Sequence, residues 1–476
     1  MANYHDLRDW IEAIEARGEL IRIPGANPST EIGAIVSAVA RERNRPSLLF
    51  EQIEGDRTGT RILANLMGSM SQLAYTLGLE AGPSAHPMDI VEGWRRRVGH
   101  LRWTAPVEVE TAPLFENVKT GADVAVTEFP TPLWHARDGG RHIGTGSAII
   151  TRDHDSGEIN VGTYRVMVVD DSTVTVWIES IRDGIRHLNS WFRQGKPCPI
   201  AIVAGVDLPV FIAASLRIPT DCPDEYWFAG AIKDAAIPIV KGPTTGLPLP
   251  ATAELVLEGE CTQEDTALEG PFGEWPGYYV SKQAPAQAVR VKAVLHRHKP
   301  ILLGRPPIRP PSSQALIRNI FRAAVSWNEI ERAGVSGIRG VWYHEAGGDG
   351  FLRVLSLSPQ YEGHSLQAAH LLMNTNNGLM NGKYAIVVDD DVDPTDLSEV
   401  MWAIATRTDP SKDMHLVHGL ATIPLDPANV PGQTTMPRLI IDACRPFGRR
   451  HEFAETLDVP SRETIAALQA KWPQLP

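Results

Sequence analysis

Cysteine is scarce in this chain of 476 residues, and the four that occur stand far apart with no CxxC spacing. This spacing does not suit a disulfide framework or a thiolate zinc site, and it is typical of reduced thiols in the cytoplasm. Residues 1–6 show no positive segment followed by an apolar run, so the sequence predicts no secretion signal. We therefore expect a cytoplasmic protein.

Long apolar runs and basic blocks are missing as well. The longest apolar stretch, residues 201–216, is too short to span a bilayer and is interrupted by Asp207 and Pro209. The 57 acidic side chains outnumber the 45 basic ones, for a net charge of −12, so nucleic acid is not an expected partner. Internal repeats are also absent, and the length predicts two or three domains, each with its own core.

Apolar spacing and turn residues predict a mixed α/β chain in several parts. Helices and strands alternate in residues 1–115, where no chemistry stands out. Residues 116–305 hold many short strands rich in Val, Ile, Thr and Tyr, which favours a barrel or closed sheet that can enclose a ligand. We expect a linker helix in 306–335, an α/β domain in 336–445, and in 446–476 a tail helix that packs on a neighbouring subunit or on a surface of the protein.

Local signals predict several element boundaries. Asp6 is expected to cap the first helix, and Ser29 or Thr30 the second. Residues 160–169 are rich in strand-forming side chains and are predicted to form one strand. On such a strand Asn160 and Arg165 would point to opposite faces unless Gly162 bends it.

The most distinctive segment is 269–279, which carries two carboxylates, Glu269 and Glu274, five residues apart. Three glycines and two prolines keep this segment from forming a regular helix or strand. Its aromatic side chains are expected to supply apolar walls: Phe272, Trp275, Tyr278 and Tyr279. Burial and a nearby like charge raise a carboxyl pKa, so this loop can hold one acid protonated beside an ionised one, as proton delivery to carbon requires. The alternative is a turn whose glutamates face water.

Two further segments carry groups suited to binding. The planar guanidinium of Arg165 is a natural partner for Glu269 or for a substrate carboxylate, although a structural ion pair explains this arginine equally well. Residues 221–230 form a second acidic loop. A carboxylate there, together with an amide oxygen and one more oxygen ligand, would suit a hard divalent cation completed by phosphate or water. Alternatively, Glu225 is only an acidic residue at a helix N-terminus.

Six segments follow one another in the order and approximate spacing of the UbiD family, and the resemblance covers nearly the whole chain. They comprise residues 160–165, 224–230, 253–259, 269–279, 304–307, and 383–394 with 402–410. The chain thus resembles a family of reversible decarboxylases that use prenylated FMN. The resemblance implies an N-terminal α/β domain, a central split β-barrel that holds the flavin, and a C-terminal α/β domain that forms oligomers.

The activity that the resemblance implies is reversible, non-oxidative decarboxylation of an aromatic, heteroaromatic or α,β-unsaturated carboxylic acid through a covalent adduct with prenylated FMN. Amino-acid side chains offer no electron sink for the carbanion left by CO₂, so a cofactor must supply it. The implied partners are the acid, a flavin prenyltransferase that supplies the cofactor, and further copies of the chain. Two alternatives stay open: a cofactor-free paralogue with an assembly or binding role, and an ordinary FMN oxidoreductase.

Individual positions carry over from the family. Arg165, Glu269 and Glu274 match its catalytic network, in which Glu274 would be the proton donor while the other two hold the charge balance and the cofactor. Asn160 and Glu225 match two ligands of the divalent cation, usually Mn²⁺, that binds the cofactor phosphate. Further matches lie at the phosphate (Lys383) and along the flavin (Thr145 and Ser215). The resemblance also allows a monovalent cation, K⁺ or Na⁺.

The third metal ligand is where the sequence departs from the family, which has a histidine a little over twenty residues after the asparagine. Here Asp183 stands at that position, and His187 follows four residues later. Aspartate is an acceptable hard oxygen ligand, so Asp183 is the expected third ligand with Asn160 and Glu225. The alternatives are that His187 takes its place or that the metal is bound weakly.

Overall fold

The protein is described here by a computed structural model, which covers residues 4–42, 45–80, 82, 85–179, 182–312, 315–375, 382–430, 432–457, 460 and 462–475. Among these residues, no helix has both the length and the apolar composition needed to cross a bilayer. The mixed α/β, multidomain class predicted from the sequence is confirmed.

The first sheet has four strands in the order β1-β2-β3-β17. Its strands are β1 (Leu20–Pro24), β2 (Ser47–Glu51), β3 (Arg61–Ala64) and β17 (Ile301–Gly304). The helices of this region are α1 (Leu7–Ala16), α2 (Ile32–Val39), α3 (Met70–Thr76) and α4 (Pro87–Val98). Strand β17 pairs in parallel with β3, so the chain returns to its first sheet after it has built the second.

The predicted caps of the first two helices have different outcomes. The Asp6 carboxylate accepts hydrogen bonds from the backbone N–H groups of Arg8 and Asp9, as a helix cap does. The predicted cap at Ser29 or Thr30 is wrong, because α2 starts after Glu31. The side chain of Asn27 accepts the backbone N–H groups of both residues instead, which places them in a turn before the helix.

The central sheet has ten strands and curls into a half-barrel. Its main path runs β6-β9-β10-β16-β14-β11-β7-β8, while β15 and β5 also pair with β16. The strands are β5 (Asn117–Thr120), β6 (His142–Gly144), β7 (Ala148–Arg152), β8 (Ile159–Gly162), β9 (Arg165–Val168), β10 (Thr173–Trp177), β11 (Cys198–Gly205), β14 (Leu255–Cys261), β15 (Thr266–Glu269) and β16 (Ala284–His296). Three helices accompany it: α5 (Asp183–Phe192), α6 (Leu208–Ser215) and α7 (Glu225–Lys233). A small sheet with the order β13-β12-β4 joins β4 (Val107–Glu108), β12 (Pro238–Lys241) and β13 (Pro248–Pro250).

The single strand predicted over residues 160–169 is wrong. The chain leaves β8 at Gly162 and enters β9 at Arg165, and these two strands lie at different places in the sheet. The backbone N–H of Thr163, between them, donates to the carbonyl of Ala214 at 3.1 Å. Because the strand is interrupted, strict side-chain alternation does not carry through from Asn160 to Arg165.

The last sheet has five strands in the order β18-β19-β20-β22-β21. They are β18 (Ile338–Tyr343), β19 (Leu352–Leu357), β20 (Tyr384–Asp389), β21 (Met414–Ala421) and β22 (Thr435–Ala443). The helices here are α8 (Leu316–Arg332), α9 (His364–Asn374), α10 (Leu397–Arg407) and α11 (Arg462–Lys471). Helix α8 corresponds to the predicted linker helix, while the domain boundaries at 115, 305, 335 and 445 stay predictions.

Strand β11 shows how the central sheet is buried on both faces. Ala201 and Val203 pack into one hydrophobic core, while Ile200, Ile202 and Ala204 pack into a second one on the other face. Such a strand reads as one apolar run without polar alternation, because neither face meets water. The sheet between two cores gives the polar side chains at its edge a rigid support.

Candidate active site

Arg165, Glu269 and Glu274 lie together at the ends of two strands of the central sheet. Arg165 opens β9 and Glu269 closes β15. The guanidinium binds Glu269 through two parallel hydrogen bonds, Nε to Oε1 at 2.6 Å and Nη2 to Oε2 at 2.9 Å. Its Nη1 donates to Oε1 of Glu274. One arginine therefore contacts both carboxyl groups of the segment that the sequence singled out. These three side chains, Arg165, Glu269 and Glu274, are called the network below.

The two glutamates ionise very differently in this setting. For Glu269, burial favours the neutral acid, but hydrogen bonds from His142 and Arg165 and the charge of Arg165 outweigh it and lower the pKa to about 2. For Glu274, burial dominates over the attraction of Arg165 and raises the pKa to about 7. Near neutral pH the site thus holds one ionised carboxylate beside one that exchanges its proton readily.

The segment of residues 135–142 supports the glutamate loop, and sequence reasoning missed it. Gly139 donates its backbone N–H to the carbonyl of Pro271 at 2.7 Å, and the buried Asp138 accepts the backbone N–H of Gly273 at 3.2 Å. A Cβ added at Gly139 would lie 1.9 Å from the carbonyl oxygen of Gly270, so only glycine permits this approach. The Asp-Gly-Gly turn before β6 was the available signal in the sequence.

Only some of the aromatic side chains of the loop lie beside the network. Phe272 is buried with its ring centroid 4.2 Å from that of His142, and the Arg165 guanidinium lies 5.4 Å from the same ring and 4.7 Å from that of Trp177. Tyr278 is 59% exposed, so the expectation that all four aromatics wall the carboxylates is wrong. The apolar side of the network comes from Phe272 and Trp177.

Trp275 connects the glutamate loop to the last sheet. Its ring centroid lies 4.9 Å from that of Phe351, whose ring in turn lies 4.8 Å from the ammonium of Lys383. Lys383 also binds the buried carboxylate of Asp426, with 2.6 Å between Nζ and Oδ1. The structure therefore does not bring Lys383 into the Arg165 network, but it links the two through Phe351.

The two expected metal ligands lie on neighbouring elements, Asn160 buried and Glu225 half-buried. Glu225 opens α7, and its Oε2 accepts the backbone N–H of Val161, next to Asn160, at 2.9 Å. Burial raises the pKa of Glu225 to about 7. The amide of Asn160 donates to Thr151 Oγ1 at 3.4 Å. A carboxyl with a raised pKa fits a cation site, because a nearby positive charge would stabilise its ionised form.

Asp183 and His187, the candidates for the third ligand, differ in exposure and surroundings. The side chain of Asp183 is 70% exposed and lies 3.5 Å from Arg186, yet it is close enough to Glu225 to contribute to its raised pKa. His187 is fully buried, with Nδ1 3.0 Å from Thr151 Oγ1. Within the described part of the chain, no three His, Cys, Asp or Glu side chains cluster as a metal site would require. Protein ligands here would have to include the Asn160 amide.

Thr145 and Ser215 lie on the segments that surround Arg165. Thr145 stands between β6 and β7 and accepts the backbone N–H of Arg305 at 2.9 Å. Ser215 ends α6, with its hydroxyl bound to the carbonyl of Phe211 at 2.7 Å. Ala214, one residue earlier, accepts the backbone N–H of Thr163 in the break between β8 and β9. Both residues thus lie next to the elements that carry the network.

Three family models match this chain. They are the N-terminal domain of 3-octaprenyl-4-hydroxybenzoate carboxy-lyase (UbiD) at residues 11–91, its Rift-related domain at 106–310 and its C-terminal domain at 315–443. Among curated proteins, a phenolic acid decarboxylase of Streptomyces sp. (strain D7) is 32% identical over 93% of this chain and 92% of its own. A pyrrole-2-carboxylic acid decarboxylase of Pseudomonas aeruginosa is 31% identical over 89% and 87%.

Solved structures agree over the full length. The vanillic acid decarboxylase of Sedimentibacter hydroxybenzoicus in its open form superposes with a TM-score of 0.87 at 29% identity, over 99% of this chain and 100% of that one. An evolved dimeric form of the UbiD-class enzyme HmfF from Pelotomaculum thermopropionicum, in complex with prFMN, gives 0.81 at 27% identity over 96% and 98%. Sequence and structure thus point to the same group of enzymes.

Proposed function

Since this chain belongs to the UbiD family of carboxy-lyases, we propose that it catalyses the reversible, non-oxidative decarboxylation of an aromatic, heteroaromatic or α,β-unsaturated carboxylic acid with prenylated FMN. The observation that carries the proposal is the contact of Arg165 with one glutamate of pKa about 2 and another of pKa about 7. A group that is half protonated near neutral pH is suited to general acid catalysis.

The residues of the network have separate tasks in this proposal. Arg165, held on one side by Glu269, presents a guanidinium that can bind the substrate carboxylate. Phe272 and Trp177 lie against that guanidinium and give a flat, unsaturated acid an apolar surface. The prenylated flavin, when bound, supplies the electron sink that side chains lack. Glu274 then delivers its proton to the carbon that has lost CO₂.

Cofactor and metal binding are assigned to the remaining site residues. We propose that Asn160, Asp183 and Glu225 hold a divalent cation, Mn²⁺ in first place, at the cofactor phosphate. Thr145 and Ser215 would lie along the flavin, because both are next to elements of the network. Lys383 would bind the phosphate, for which its ammonium must leave or share the carboxylate of Asp426. The monovalent cation stays without an assigned site.

Partners and location complete the proposal. We propose that the chain works in the cytoplasm, where reduced thiols and a flavin prenyltransferase are available; all four of its cysteines are free and buried. We also propose a homo-oligomer of at least two subunits. Large apolar side chains of the C-terminal tail support this, since Leu457 is 93% exposed and Trp472 and Leu475 are 40% and 44% exposed.

Co-expression with a flavin prenyltransferase tests the proposal. The purified protein is expected to carry a cofactor with the mass and absorbance of prenylated FMN, and to release CO₂ from phenolic or pyrrole carboxylic acids. Ordinary FMN without CO₂ release would favour the oxidoreductase alternative. A protein that binds neither flavin would favour a binding or assembly role.

A further inference from the structure

His142 is a buried histidine beside the network that the proposed reaction does not yet use. It opens β6, is fully buried, and has its Nε2 3.3 Å from Oε1 of Glu269, the oxygen that also accepts from Arg165 Nε. Its Nδ1 lies 3.0 Å from the carbonyl oxygen of Gly140. Both ring nitrogens therefore face oxygen atoms.

The two oxygens decide the protonation of the ring. A backbone carbonyl oxygen only accepts hydrogen bonds, and so does an ionised carboxylate. Arg165 binds both oxygens of Glu269, which keeps that carboxylate ionised at neutral pH. A neutral imidazole has one N–H and would turn a lone pair toward one of these oxygens. Both contacts are satisfied only when each nitrogen carries a hydrogen.

Further neighbours of His142 are uncharged side chains. On one side lies the ring of Phe272, which is apolar. The cross-strand neighbour on β9 is Met167, and Trp134 donates to the backbone carbonyl of His142. Of the charged groups in the described part of the chain, Glu269 contacts the imidazole and Arg165 lies behind it. Other titratable groups nearby have other partners: Arg141 binds Thr131 and Ser29, Asp138 binds Gly273, and His135 packs against Phe272.

We propose that His142 is a positioning residue that stands as a positively charged imidazolium beside Glu269, and that its charge leaves Arg165 available for the carboxylate of the substrate. The second part rests on the proposed function. With Glu274 protonated, the network holds two positive groups and one negative carboxylate, so it has one positive charge in excess. A substrate carboxylate then neutralises a buried site. With a neutral His142 the same complex would carry a buried negative charge, which is costly.

Nitrogen NMR of the protein labelled with ¹⁵N-histidine tests the charge directly, without cofactor or substrate. The signals of His142 are assigned by their loss in H142Q. At pH 7 the wild-type ring is expected to show the two similar ¹⁵N shifts of an imidazolium, and in E269Q the well-separated shifts of a neutral ring. A neutral ring in the wild-type protein at pH 7 overturns the proposal, as does a ring that stays charged in E269Q.

Kinetics of the loaded enzyme test the consequence for substrate binding. The glutamine of H142Q can still donate a hydrogen bond to Glu269 but carries no charge. Its KM for the acid is expected to rise about tenfold, with a smaller change in kcat, because one buried positive charge near an anion is lost. The matched control is H154Q, which removes a histidine from the turn of residues 153–157, outside the site. An unchanged KM in H142Q would refute the role toward substrate.

These two readouts separate this inference from the proposed function. If no acid is decarboxylated while the ring is charged, the imidazolium stands and the decarboxylase assignment fails. If turnover is normal while the ring is neutral, the assignment stands and the inference about His142 fails.

Discussion

Replacing Glu274 by glutamine tests the proposed proton donor. Glutamine has nearly the same shape as a protonated glutamic acid but cannot deliver a proton. The loop should keep its conformation, because Glu274 is held by its backbone: its N–H donates to the carbonyl of Tyr278 at 2.9 Å, and its carbonyl accepts from Gly277 at 2.8 Å. We therefore expect E274Q to fold and bind cofactor normally while losing turnover.

The expected loss of turnover follows from the protonation state of Glu274 and from its role as a general acid. Its pKa of about 7 means that roughly half of the wild-type molecules carry the proton at pH 7. General acid catalysis contributes about 10²–10⁴-fold to a rate, so kcat of E274Q should fall by about that factor. In the wild-type enzyme, decarboxylation should be flat below the pKa of Glu274 and decline above it, as the proton is lost. Carboxylation, which needs the ionised form as a base, should have the opposite profile.

The assay measures CO₂ release and the deuterium content of the product in D₂O. E274Q should lose both turnover and the catalysed entry of solvent deuterium. The control is E179Q. The carboxylate of Glu179 raises the pKa of Glu274 from outside the hydrogen-bonded network, so its removal should move the alkaline decline to lower pH and leave the maximal rate intact.

Near-wild-type turnover in E274Q would remove Glu274 from its role as donor. Loss of bound cofactor in the same variant would contradict the expectation that Glu274 acts on the substrate alone.

We expect Asp183→Ala to lower metal and cofactor occupancy and His187→Ala to leave both largely intact. Metal analysis of the two purified variants measures this. If the metal is lost only in His187→Ala, the third ligand is His187 and not Asp183. The folded-state pKa of Glu274 is raised, so its contribution to stability is present below its unfolded pKa and is lost as pH rises through about 7. E274Q should therefore melt at a higher temperature than the wild type at pH 8 and at about the same temperature at pH 4; equal melting temperatures at pH 8 would contradict this. Light scattering should give at least twice the mass of one chain, and a single-chain mass across a broad concentration range would exclude the oligomer.

The contact of Arg165 with Glu269 and Glu274 was predictable because the signal of the two glutamates is local. Glu269 and Glu274 share one loop whose glycines, prolines and aromatics set it apart, and the arginine lies in a motif of the same family. Asp6 was predictable for a similar reason, since a helix cap depends on the next three residues.

Elements that depend on distant contacts escaped prediction. Helix α6 is apolar almost throughout and buried on nearly every side, so it lacks the periodic pattern that identifies a surface helix. For the break between β8 and β9, the sequence offered only Gly162 as a possible bend, because the hydrogen bond from Thr163 to Ala214 joins distant parts of the chain. His142 shows no pattern in sequence; only the fold places its ring against Glu269.

Because of strand β17, the first sheet depends on a segment that is synthesised late. It completes the first sheet by pairing with β3, although it lies beyond the whole central region in the chain. While the ribosome makes residues 65–300, the edge of β3 has no partner from its own sheet, and an open edge strand readily pairs with other chains. The first sheet is therefore complete only after β17 has been made and has paired with β3. A truncation after residue 115 would leave that edge permanently open, whereas one after residue 304 would close it.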